Sequence, residues 1–94
     1  MIYKAKTTVR FRKQFSELDI KSKRIIKNKT KLLELNPYRN KKLHNKHGRI
    51  LFRIRLKIQS KETRLIYEVI KPNIILLCLI ERKNSYKELE ELLK

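Results

Sequence analysis

The chain has 94 residues, with 26 Lys or Arg against nine Asp or Glu and a formal charge of +17. That length admits one domain, residues 1–94, with one modest core, and the longest apolar run, residues 74–80, falls far short of the roughly 20 residues needed to span a bilayer. A single cysteine, Cys78, excludes an internal disulfide.

Residues 2–7 alternate Ile2, Lys4 and Lys6 against Tyr3, Ala5 and Thr7 and predict a first strand. Thr7 or Thr8 is placed to cap a short helix over 9–18, in which Phe11, Phe15 and Leu18 recur at spacings of four and three. Asp19 is a second N-cap. The helix it opens carries Ile25, Ile26, Leu32, Leu33 and Leu35 as an apolar stripe over Lys21, Lys23, Lys27 and Lys31. It ends near Leu35, because the residue before a proline, here Asn36 before Pro37, is pushed out of helical geometry. The two helices read as a hairpin. Residues 38–49, with Lys41, Lys42, His44, Lys46, His47 and the only glycine, Gly48, read as a basic loop.

Three strands follow over about 50–58, 63–70 and 73–80, joined by residues 59–62 and by a tight turn at Lys71-Pro72. Connections this short make them antiparallel neighbours. In the first of them Phe52, Ile54, Leu56 and Ile58 share one face while Arg53, Arg55 and Lys57 share the other, since side chains alternate along a strand. One face wants a core and the other wants an anion. Tyr67 belongs to the core of the second strand. The third, Ile74-Ile75-Leu76-Leu77-Cys78-Leu79-Ile80, is apolar on both faces, which places it inside the sheet with Cys78 as a small buried hydrophobe. A final helix over about 85–93 has Ser85 as its cap, Glu88 as the capping-box partner and Leu89, Leu92 and Leu93 as its apolar side. The order is β-α-α-β-β-β-α, an α+β domain.

The charge is unevenly spread. Residues 1–61 carry 20 Lys or Arg against Glu17, Asp19 and Glu34, whereas residues 62–94 carry six of each sign. A charge of this size opposes compaction by self-repulsion and points to a polyanionic partner. A ribosome, a free RNA or DNA would each satisfy it, through a salt-sensitive attraction to phosphates that carries no sequence information. An anionic membrane is the weaker candidate. The first six residues lack the apolar core of a signal peptide, so the expected compartment is the cytoplasm.

Taken in order, the residues resemble the RelE/ParE toxins of bacterial and archaeal type II toxin–antitoxin systems. The parts are the first strand, the helical hairpin ending in Leu35-Asn36-Pro37-Tyr38, then Lys42-Leu43, Phe52-Arg53-Ile54-Arg55-Leu56, Thr63-Arg64-Leu65-Ile66-Tyr67-Glu68-Val69 and Arg82-Lys83-Asn84-Ser85-Tyr86. The resemblance covers nearly the whole chain and rests on order and spacing, no one part being specific by itself. It implies a microbial-ribonuclease-like fold, with the hairpin on one side of a curved, mainly antiparallel sheet and a basic groove on the other. For the RelE branch it implies a ribosome-dependent endoribonuclease that cleaves messenger RNA in the A site without a metal or other cofactor, the 2′-hydroxyl attacking the adjacent phosphate. It also implies a cognate antitoxin that wraps the toxin and covers the groove.

By motif, Arg53 and Arg55 stand where the best-known members carry lysines. Arg64 matches the arginine that holds the scissile phosphate, Arg82 the one that stabilises or protonates the leaving group, and Tyr86 the tyrosine on which a splayed base stacks. Lys42, His44, Lys46, His47, Lys57 and Lys83 are the expected RNA contacts. Convergent guanidinium groups suit a phosphorane, but arginine does not give up its proton near neutral pH and cannot serve as a general base. Lys57 or Lys42 would serve if surrounding positive charge depressed its pKa, and His44 or His47 are the other side chains suited to proton transfer. Two histidines with no cysteine near them make no zinc site.

The plainer readings stand beside these. Arg53, Arg55 and Lys57 would be a solvated sheet face, Arg64 an ion-pair partner of Glu62 or Glu68, and Tyr86 a tyrosine packed on the sheet. A noncatalytic RNA- or ribosome-binding module of the same fold is one alternative function. A ParE-type inhibitor of DNA gyrase, which needs no nuclease groups, is another.

Overall fold

In a computed structural model, which describes residues 3–82 and 87–93, the chain runs β1 (Lys4–Thr7), α1 (Val9–Ser16), α2 (Ile20–Leu35), β2 (Lys41–Leu43), β3 (Leu51–Ile58), β4 (Lys61–Ile70), β5 (Asn73–Glu81) and α3 (Lys87–Leu93). The strands form one sheet in the order β1-β5-β4-β3-β2, with β1 parallel to β5 and the other pairs antiparallel. β5 has a neighbour on each side, as its two apolar faces require.

The caps of the two hairpin helices are those the sequence predicts. The Thr8 hydroxyl accepts from the Phe11 amide at 3.0 Å and donates to the Leu77 carbonyl at 2.7 Å, so the start of α1 is tied to β5. Asp19 accepts from the Ser22 amide at 2.7 Å, and its carboxyl is held below the usual range by the Ser22 hydroxyl first and by this amide second. α1 stops at Ser16, short of the expected Leu18, because the Glu17 and Leu18 amides reach back only three residues, to Gln14 and Phe15, and tighten the last turn. α2 ends at Leu35, and Asn36 before Pro37 is extended at φ −156° and ψ 95°.

The strands differ from expectation at one turn and in the basic loop. Gln59 and Ser60 are both left-handed, at φ 52° and 64°, the pattern of a type I′ turn, so β4 starts at Lys61 and the strands pair right up to the turn. The second turn contains a cis peptide at Lys71-Pro72. The basic loop expected over 38–49 holds a further strand: Lys41, Lys42 and Leu43 pair with Arg53, Phe52 and Leu51, and the order becomes β-α-α-β-β-β-β-α. Three residues, two of them charged, carry no period of their own; β2 exists because β3 offers it an edge.

Each face of the sheet has its own core. Phe11, Ile26 and Leu33 of the hairpin pack on Phe52, Ile54, Leu56, Leu65 and Tyr67. On the opposite face Leu89 and Leu93 of α3 cover Leu51, Ile66, Leu77, Cys78 and Ile80. A bulge in β5, where the pairing steps from Ile66↔Cys78 to Tyr67↔Leu76, turns Leu77 and Cys78 to the same side. Tyr67 is fully buried; its hydroxyl donates to the Pro37 carbonyl at 2.6 Å and accepts from the Asn40 amide at 3.0 Å. Its ring stacks on Phe52, which meets Tyr38 edge-on, and Tyr38 in turn meets Tyr3. No helix among the described residues is long and apolar enough to cross a membrane.

Cys78 sits beneath α3 with no exposed surface, and burial pushes its thiol up to about 11. At a pH of about 8 the folded protein is expected to resist iodoacetamide while the denatured chain is modified fully, because only the thiolate reacts and only when reached. Mass spectrometry of the two samples checks this. An adduct on the folded chain would show that α3 does not seal the bulge.

Candidate functional site

The cationic side chains of β3 project on the α3 side of the sheet, and cross-strand register decides what they meet. Arg55 pairs with Arg64 and Lys57 pairs with Glu62, and residues directly opposite in a ladder point to the same face. The Arg82 amide donates to the Glu62 carbonyl at 2.8 Å, which carries the ladder one step beyond β5 and sets Arg82 beside Glu62. Arg55, Glu62, Thr63, Arg64 and Arg82 line a small cleft of about 30 Å³. Arg55 and Arg82 are exposed and Arg64 is half-buried. Three guanidinium groups at one small cleft present planar, permanently charged donors that match phosphate oxygens and stabilise added negative charge.

The remaining predicted residues are dispersed. Arg53 lies further along the same face of β3, opposite Ile66 on one side and Lys41 on the other, and Lys57 flanks Glu62. Lys42 pairs with Phe52 and therefore projects on the hairpin side, the face opposite to Arg53. Lys41, counted in the basic loop but not among the expected RNA contacts, is the one beside Arg53. The loop bearing His44, Lys46 and His47 enters the sheet at Leu51, four residues along β3 from Arg55 and about 13 Å away by strand rise. The Asn45 side chain shapes that loop. It accepts from the His47 and Arg49 amides at 3.0 and 3.2 Å and donates to the Arg49 carbonyl at 2.7 Å, with Gly48 left-handed at φ 67°. His44 and Lys46 are exposed, and a His47 ring nitrogen lies 3.4 Å from a carboxylate oxygen of Glu90 on α3. Lys83, Tyr86 and the expected helix cap Ser85 lie outside the described residues.

Glu68, one of two carboxylates expected to pair with Arg64, pairs with Arg49. The Arg49 Nε and Nη2 donate to its two oxygens at 2.8 and 2.6 Å, a bidentate bond that raises the arginine pKa above its ordinary value. The reason is register: Glu68 stands opposite Leu51, where the loop delivers Arg49, and Arg64 is four residues further along β4. Glu62 shares a strand face with Arg64 by the period of two, but its placement between Lys57 and Arg82 is legible only from the pairing of strands. Among the described residues no three His, Cys, Asp or Glu side chains gather as a metal site would require.

A second, larger concavity of about 500 Å³ lies on the hairpin side. Phe11, Phe15, Ile26 and Leu76 supply apolar walls and Arg12, Lys27 and Lys31 line it as well.

No protein-family model matches the chain, and a search of curated proteins finds no match by sequence. Solved structures do match. A mutant of the E. coli toxin RelE in the free state superposes with a TM-score of 0.74 at 18% identity, over 97% of this chain and 93% of its own. This chain has the RelE fold. The archaeal RelE-RelB complex from Pyrococcus horikoshii OT3 gives a TM-score of 0.70 at 23% identity, covering 90% of this chain and all of that one. The intact E. coli RelBE toxin–antitoxin complex gives 0.71 at 20% identity, over 87% of this chain and 99% of that one. The RelE fold accounts for the hairpin on one face of a mainly antiparallel sheet, while the Arg55-Arg64-Arg82 cleft on the other face is read from this chain's own geometry.

Proposed function

We propose that this chain is the toxin of a type II toxin–antitoxin system and acts as a ribosome-dependent endoribonuclease on messenger RNA in the A site. The observation that carries the reading is the cleft where Arg55, Arg64 and Arg82 meet on the basic face of a RelE fold. In that cleft the scissile phosphate accepts hydrogen bonds from Arg55 and Arg64, and Arg82 neutralises charge as the 5′-oxygen leaves. The 2′-oxygen attacks phosphorus, and the guanidinium groups act by stabilising the phosphorane more than the ground-state phosphate. Arg53, Lys41 and Lys57 extend the basic face along β3, His44, Lys46 and His47 on the preceding loop supply further RNA contacts, and Lys83 is a proposed contact beyond them, whereas Lys42, on the opposite face, is not one. Tyr86 offers an aromatic face for a splayed base, a contact worth about 1 to 3 kcal/mol. Action on the ribosome places the protein in the cytoplasm.

The proposed protein partner is an antitoxin with an acidic, partly disordered segment that folds on binding. The matching structures include a RelE-RelB complex and the RelBE toxin–antitoxin complex. The apolar concavity edged by Arg12, Lys27 and Lys31 fits the apolar side of such an acidic segment.

A noncatalytic ribosome-binding module is the second reading, favoured by arginine at both Arg53 and Arg55, positions where the RelE/ParE resemblance leads one to expect lysine. The deciding experiment adds purified protein to translating ribosomes programmed with a defined message and maps new 5′ ends, with Arg82→Ala in parallel. The expected result is cleavage confined to the A site and lost in the variant. An intact message with protein bound to ribosomes would establish the noncatalytic module, and loss of DNA supercoiling by gyrase would establish the ParE-type activity.

A further inference from the structure

The arginines of the cleft hold a phosphate but none of them accepts a proton. Among the side chains of the residues lining it, Arg55, Glu62, Thr63, Arg64 and Arg82, only the Glu62 carboxylate takes up a proton in ordinary aqueous chemistry. Thr63 is no rival, since its side chain is buried on the other side of the strand and its hydroxyl donates to the Lys61 carbonyl at 3.2 Å. We infer that Glu62 is the general base that removes the 2′-hydroxyl proton, an inference that rests on the endoribonuclease reading above.

Placement supports the role. Glu62 is exposed, so the carboxylate is open to a substrate, and its own carbonyl is occupied by the Arg82 amide at 2.8 Å, which fixes the strand that carries it. The charged groups facing it are Lys57 and Arg55 from β3, Arg64 from its own strand and Arg82 from the segment after β5. A phosphate drawn in by those cations is thus brought to the one proton-accepting side chain among the described residues lining the cleft. Of the other expected substitutes, Lys57 stands across the ladder from Glu62 without lining the cleft, Lys42 projects on the opposite face, and the histidine loop joins the far end of β3.

The step draws on nothing beyond the message and solvent water. The 2′-O–H bond breaks toward the Glu62 carboxylate, the 2′-oxygen bonds to phosphorus, and the bond from phosphorus to the 5′-oxygen breaks. That oxygen takes a proton from water, and the proton on Glu62 returns to solvent. The products are a 2′,3′-cyclic phosphate and a 5′-hydroxyl.

The alternative role for Glu62 is to balance the charge of its arginine neighbours, and the test separates the two. Single-turnover cleavage is followed on ribosomes programmed with a defined message, using wild type, Glu62→Gln and Glu62→Ala. Glu62→Gln keeps the shape and removes a negative charge, so ribosome binding is expected to hold or tighten while the cleavage rate falls about 10² to 10⁴-fold. Formate added to Glu62→Ala is expected to restore cleavage in a saturable way, because a small carboxylate enters the vacated position. Glu62→Gln as fast as wild type overturns the inference and leaves the nuclease reading standing, and so does a slowed Glu62→Ala that formate does not rescue. A wild-type protein that binds ribosomes and leaves the message intact removes the nuclease reading, and the base assignment with it.

Discussion

Arg64→Ala is expected to slow message cleavage about 10² to 10³-fold, the usual cost of deleting one donor aimed at developing negative charge. Arg64 sits opposite Arg55 in the ladder and lines the same cleft, so its guanidinium is one of the few donors that can address the phosphate directly. Arg64→Lys is expected to recover little, since an ammonium is a point charge without the planar fork that engages two oxygens. Because Arg64 is only half-buried, the melting temperature is expected to move by no more than a few degrees. Single-turnover cleavage and calorimetry on the same preparations check both halves of the claim. Full cleavage by Arg64→Ala would remove the cleft as the site of chemistry; a large fall in melting temperature would make Arg64 a structural residue. Arg55→Ala combined with Arg64→Ala is expected to cost less than the product of the two single effects, because both residues serve one phosphate.

Tyr67→Ala is expected to cost about 3 to 5 kcal/mol of folding stability, a large share of the roughly 5 to 15 kcal/mol available to a domain of ordinary stability. The ring is fully buried against Phe52, and its hydroxyl ties β4 to the chain just after α2 through Pro37 and Asn40. Tyr67→Phe isolates the hydroxyl and is expected to cost about 1 to 3 kcal/mol, since the Pro37 carbonyl is left without its donor. Urea denaturation of the three proteins gives the series directly. Equal stability of Tyr67→Phe and wild type would mean that water replaces the hydroxyl at Pro37.

The same residue makes stability depend on pH at the alkaline end. Burial pushes the Tyr67 phenol up to about 12 from its ordinary value of 10.0, so the folded state keeps a proton that the unfolded state gives up. The contribution is complete below the unfolded value and is lost as pH rises through the interval up to the folded one, amounting to roughly 2 to 3 kcal/mol. Cys78, pushed up to about 11 from 9.0, acts in the same sense at slightly lower pH. The stability of Tyr67→Phe should therefore fall less steeply than that of wild type above a pH of about 10. Parallel slopes would contradict the burial of the phenol.

Much of the fold is legible in local pattern. Thr8 and Asp19 open helices by accepting amides three residues on, Asn36 before Pro37 closes one, and the alternation from Phe52 to Ile58 separates a core face from a cationic one. Each of these signals acts within a few residues, so each survives in the sequence read alone. β2 does not. Lys41–Leu43 carries no period and is a strand only by pairing with β3. The candidate site divides in the same way. The basic face of β3 is visible from its period of two, whereas the cleft is a product of register set by the two-residue turn at Gln59 and Ser60 and of the ladder continuing past β5 to Arg82. Arg49 taking Glu68, Lys42 falling on the hairpin side and Glu62 standing among the arginines all follow from that register.

The sequence by itself thus determined where the two hairpin helices begin and where the second ends, which strand is interior and which face is cationic, because periodicity and capping are local. Only the tertiary structure decided which charges meet, because partners across a sheet are chosen by pairing between residues distant along the chain, and a slip of one position would turn every side chain of a strand to the other face.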